Sequence, residues 1–100
     1  HSDDSTLLTL FLTVAAGSPP KTLLTEKSAT TLVRKIRKSG LNAEAARAYI
    51  AEHAPLPYQD DYAQLWDNFL EDALGTLQSD MDYALNDALA LLRRECNIAA

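Results

Sequence analysis

Only one cysteine, Cys96, occurs in the 100 residues, so no disulfide can form within the chain and the fold must rest on packing. Glycine and proline are scarce, at three and four residues, which argues for long regular elements rather than a loop-rich fold. Histidine is nearly absent: His1 opens the sequence and His53 is the one internal residue. No Gly-rich phosphate loop is present, nor any HExxH, ExxH or calcium-loop spacing, so cofactor and metal chemistry have no visible footing and none is expected. The most apolar run, Leu7 to Ala16, is broken by Thr9 and Thr13 and falls far short of the roughly 20 residues of a transmembrane helix. It follows Asp3 and Asp4, where a signal peptide would carry positive charge. Together with the lone cysteine, these absences give the expectation of a cytoplasmic protein with no membrane partner. The chain opens on His1 rather than Met, so a piece of a longer protein is an open reading.

What is present suits one helical domain over residues 1–100. Apolar residues make up 47% of the chain, enough for a core without metals or crosslinks. The charge is polarised. Residues 1–50 hold seven bases and four acids, a balance of +3, and residues 51–100 hold two bases and ten acids, a balance of −8. An acidic hairpin packed beside a basic helix accounts for this, and so does a surface that steers partners.

The stretch from Tyr58 to Cys96 carries the strongest pattern. Tyr62, Leu65, Trp66, Phe69, Leu70, Ala73, Leu74, Leu77, Met81, Ala84, Leu85, Ala88, Leu89 and Leu92 recur at steps of three and four, which predicts a buried helical stripe. Ser79 with Asp82 resembles a weak capping box, and Gly75 weakens the helix around it, so the spacing predicts two helices with a break near Gln78–Asp80. One unbroken helix of about 36 residues would span about 54 Å and would need a dimer to cover it.

Upstream, residues 4–16 read as a helix with Leu7, Leu10, Phe11 and Val14 on one face and a stop at Gly17-Ser18-Pro19-Pro20; the threonines and Val14 would also suit a strand, but no second convincing strand offers a pair. A second helix runs from Thr25 or Ser28 to Lys38, with Thr25 as cap, Glu26 in the first turn, and Arg37 and Lys38 in the last. Gly40 suits the left-handed position after it. Asn42 caps a third helix over 43–53, with Ala46, Tyr49 and Ile50 facing inward. Pro55 and Pro57 form a corner, and a fourth helix begins near Gln59. The fold class expected is all-α: a single-domain bundle of four to five helices with a C-terminal antiparallel helical hairpin.

Candidate chemistry is thin. His53 lies close in sequence to Asp60 and Asp61 but sits at a helix C-terminus, where a ring nitrogen serves structural ends as well. Asp67, Glu71 and Asp72, and Asp80 with Asp82 around Met81, could pair as carboxylates but fit a solvated helix face better. Cys96 has Arg93 and Arg94 nearby to favour a thiolate, yet no histidine completes a dyad. An enzyme is therefore not expected. The leading expectation is a non-enzymatic protein–protein interaction module, an adaptor or regulatory domain, with Tyr58, Tyr62, Trp66, Asp67, Glu71 and Tyr83 forming an aromatic and acidic partner-binding face. Trp66 and Phe69 also serve any small helical core. The partner is another protein, with a second copy of the chain (a homodimer) as one candidate. The alternative is a nucleic-acid-associated regulator using the basic surface of Arg34, Lys35, Arg37 and Lys38 on a helix–turn–helix outline. The acidic C-terminal half, which repels phosphate, counts against it.

Overall fold

Residues 2–53 and 62–99 are described by a computed structural model, and every regular element among them is an α-helix. In order these are α1 (Ser2–Ala15), α2 (Glu26–Ser39), α3 (Ala43–His53), α4 (Tyr62–Gln78) and α5 (Asp82–Glu95). The chain is the all-helical bundle its periodicity predicts, with a radius of gyration of 12.4 Å, close to the ~13 Å of a compact domain this long. The Pro55–Pro57 corner, Tyr58, Asp60, Asp61 and the expected helix start at Gln59 lie outside the described residues.

Local signals explain the middle of the chain. Thr25 accepts the Ser28 amide on its hydroxyl at 3.1 Å and so closes the start of α2. Glu26 stands in the first turn, with Arg37 and Lys38 in the last, each matching the helix dipole. Gly40 ends α2 at φ +78°, and its amide donates to the Ile36 carbonyl at 2.6 Å. Asn42 then caps α3 by accepting the Ala45 amide at 3.0 Å. Ala46 and Ile50 are buried and Tyr49 is half-buried, as the spacing predicts.

The deepest element is α1 rather than the Tyr58–Cys96 stretch. Leu7, Leu8, Thr9, Phe11, Leu12, Thr13 and Ala15 are all buried, while Leu10 and Val14 are only half-buried. The expected face of Leu7, Leu10, Phe11 and Val14 packs on the core, and burial extends beyond it to Leu8 and Leu12. After Asp4 the helix carries no charge, and a helix apolar on all sides is covered on nearly all sides. It packs on α3 and α4; α2 packs on α4 and α5; and α4 packs on α5. Phe11 stacks on Trp66 with ring centroids 3.9 Å apart and planes 23° from parallel, at the heart of the core.

Burying Thr9 and Thr13 requires partners for their hydroxyls, and both find them. Thr9 Oγ1 donates to the Ser5 carbonyl at 2.8 Å and accepts the Asn97 amide at 2.8 Å. Thr13 Oγ1 donates to the Leu10 carbonyl at 2.9 Å and accepts the Lys21 amide at 3.1 Å. The central helix thus holds the α1–α2 connection and the C-terminal tail. These two segments also hold each other: Leu24 N–H donates to the Asn97 carbonyl at 3.0 Å, and Ala99 N–H to the Leu24 carbonyl at 2.6 Å. The result is one isolated parallel bridge, Leu24 to Ile98.

The break between α4 and α5 falls at residues 79–81, as expected. The Ser79 capping box does not form. Met81 holds the N-cap position with no side-chain hydrogen bond, and Asp82 supplies the negative charge of the first turn. Gly75 stays inside α4. Leu65 and Phe69 from the start of α4 line one small cleft with Leu91 and Arg94 from the end of α5. The hairpin is therefore antiparallel, and one long helix spanning both is absent.

Candidate functional site

The acidic and aromatic residues separate according to helix phase. On α4, positions 64, 67, 68, 71, 72, 75 and 78 are exposed, while Trp66, Phe69, Ala73 and Leu77 are buried. Asp67 and Glu71, one turn apart, therefore share the outward face. Trp66 is 0% exposed and belongs to the core, so as a partner anchor it is corrected. Asp67 is tied to Arg47 of α3 in an ion pair across the surface. The side chain of Tyr62 and all of Tyr58 lie outside the described residues.

Tyr83 behaves as a surface residue. It is 63% exposed, and Met81, two residues before it, is 54% exposed. Met81 was expected on the buried stripe. It falls outside because it stands in the turn before α5, where helical phase is interrupted. Asp80 and Asp82 flank it, both exposed, and Asp87 stands exposed one turn beyond Tyr83. The α4–α5 corner thus exposes two large apolar side chains next in sequence to exposed carboxylates. Glu71 is seven residues before the end of α4 and Asp67 eleven, about 10 Å and 16 Å along the axis. The structure therefore brings Tyr83 together with Asp80, Met81 and Asp82, and leaves Asp67 at the far end of the hairpin.

The basic set on α2 divides in two. Arg34 and Lys38 are exposed. Lys35 donates to the Gly17 carbonyl at 3.1 Å and to Ser18 Oγ at 3.3 Å, closing the end of α1. Arg37 is half-buried and its Nε donates to the Leu77 carbonyl at the end of α4, at 3.4 Å. At the other side of the bundle, Arg93 forms a two-pronged pair with Glu26, at 2.5 and 2.8 Å. The hydrogen bond from Arg93 holds the Glu26 carboxyl below its ordinary range.

His53 is exposed. Its ring stacks on Tyr49 with centroids 4.3 Å apart, and its Nδ1 lies 3.1 Å from the Tyr49 carbonyl. Among the described residues its ring contacts are thus those of its own helix end. Burial of Cys96 opposes the thiolate that Arg93 and Arg94 would favour. The side chain is buried, and that burial, more than the nearby Glu95 charge, pushes the thiol up to about 12 against the hydrogen bond from Thr9, which lowers it. Arg93 and Arg94 are both exposed and project elsewhere, each paired with a glutamate. Among the described residues, no group of three or more His, Cys, Asp or Glu could hold a metal ion. No described helix is long and apolar enough to cross a membrane.

Comparison with protein-family models, with curated proteins and with solved structures finds no match to this chain.

Proposed function

We propose that the chain is a non-enzymatic protein-interaction module whose contact point is the α4–α5 corner. One observation supports the reading: Met81 and Tyr83, two of the three large apolar side chains left exposed among the described residues, alternate along the chain with the exposed Asp80 and Asp82. Exposed apolar side chains beside charge suit an interface in which the apolar pair provides contact area and the carboxylates select a basic partner. Burying a methionine side chain is worth about 2 kcal/mol, and an aromatic ring adds a comparable contribution. The carboxylates act chiefly on encounter rate and specificity.

The test immobilises the chain and measures partner retention from cell extract over a salt series. M81S/Y83S is expected to lose the retained species, and D80K/D82K to lose the salt dependence. Equal retention by all three proteins would remove the corner from consideration. Loss on R34Q/K38Q alone would favour the basic face of α2 and a nucleic-acid partner instead. Light scattering over a concentration series decides whether the partner is a second copy: a dimer that disappears in M81S/Y83S identifies it.

A further inference from the structure

A cleft of about 380 Å³ opens between the α1–α2 connection and the face of α2. Lys21 borders it from the connection, and Lys27 and Lys35 from the helix. None of the described residues lining it is acidic, on a chain whose net charge is −5. The acid next to Lys27 in sequence, Glu26, is held by Arg93 and does not neutralise it. Lys21 and Lys27 are exposed and form no ion pair among the described residues.

The cleft also offers uncharged donors and an apolar floor. Ser18 Oγ accepts from Lys35, and Ser28 Oγ accepts from Thr25 Oγ1 at 3.0 Å, so each serine keeps its own hydroxyl proton to give. Leu24 and Leu32, 2% and 3% exposed, lie beneath. Lys27 and Lys35 are eight residues apart on α2, about 12 Å along the axis. That spacing suits two phosphate groups on one molecule better than a single phosphate ion.

We infer that this cleft binds a small organic molecule carrying two or more phosphate groups. The three ammonium groups match the charge of two such groups, about −1.5 to −2 each. The serines add neutral hydrogen bonds, and the leucine floor takes the carbon skeleton. This site is separate from the acidic corner and stands whether or not that corner binds a protein.

Titration calorimetry at low salt, with ATP and inorganic phosphate as probes, tests it. ATP is expected to bind saturably at one site per chain, at least tenfold tighter than phosphate. K21Q and K27Q should each weaken ATP about tenfold, the loss of one charge-assisted contact. Both lysines are exposed, so circular dichroism should show an unchanged fold. Lys35 is left intact because it closes α1. R34Q/K38Q, outside the cleft, should leave ATP affinity unchanged. The inference is overturned by the absence of saturable binding, by phosphate binding as tightly as ATP, or by R34Q/K38Q losing as much as K21Q.

Discussion

Thr9 joins the most buried helix to the tail, and replacing it separates packing from hydrogen bonding. Thr9→Val keeps the shape and the β-branch but removes the hydroxyl. The Asn97 amide then loses its acceptor, and a donor left unsatisfied away from water costs about 1–3 kcal/mol. The Ser5 carbonyl loses one of its donors as well, so about 2 kcal/mol in total is expected. In a domain of this size that lowers Tm by roughly 10 °C. Thr9→Ser keeps the hydroxyl and loses one methyl, which costs about 1 kcal/mol. The order of stability should therefore be wild type, then T9S, then T9V, read from urea denaturation. Two local measurements go with it. Hydrogen exchange at the Asn97 amide should accelerate in T9V and not in T9S. The Cys96 thiol loses the interaction with Thr9 that lowers it, so at a given pH it should react more slowly with a thiol reagent in T9V only. T9V proving as stable as T9S, with Asn97 still protected, would refute the assignment of this hydroxyl as the link between helix and tail.

Three further outcomes follow from the geometry. The Cys96 thiol is raised from an ordinary 9.0 to about 12 in the folded chain. Both states therefore keep the proton below pH 9, and above it the unfolded chain alone loses it; stability should fall between pH 9 and 12 by at most about 1.4 kcal/mol per pH unit, and a urea series on C96A should lack that contribution. Glu26 is depressed by Arg93, so its contribution is present above the ordinary carboxylate range and lost as the pH falls through the folded value; E26Q should flatten the acid limb of the stability curve, and an unchanged limb would exclude the pair as its source. Gly40→Ala meets no neighbouring atom but must hold φ +78°, so it should cost about 1 kcal/mol from backbone strain alone in denaturant titration.

The parts of this fold that follow local rules were legible in the sequence. Thr25, Gly40 and Asn42 mark the ends of α2 and α3 because capping depends on residues three or four apart. The α4–α5 break was placed from the Ser79–Asp82 cap signal and from Gly75, although Met81 rather than Ser79 fills the cap position and Gly75 stays within α4. What escaped was non-local. Leu10 and Val14 fit a helical face as well as Leu8 and Leu12 do, and only the elements packed around α1 decide between them. The bond from Asn97 to Thr9 joins residues 88 apart and leaves no periodic trace. At the candidate surface, Tyr83 was visible as an aromatic among acids, while Trp66 carried the same signature and is core. A sequence of aromatics at helical spacing does not say which of them a neighbouring Phe11 will cover.

The clasp between Thr9 and Asn97 also bears on the order of events at synthesis. The partner of a side chain near the start emerges 88 residues after it, an interval of roughly 4–18 s at about 5–20 residues per second. Through that interval α1, the helix with apolar groups on nearly every side, has no tail to answer its hydroxyl. Contacts so distant along the chain slow folding, and an uncovered helix of this kind invites association with other nascent chains. Weakening the clasp should therefore lower the yield of correctly folded protein in the cell by more than the equilibrium loss alone, since the vulnerable interval is lengthened as well.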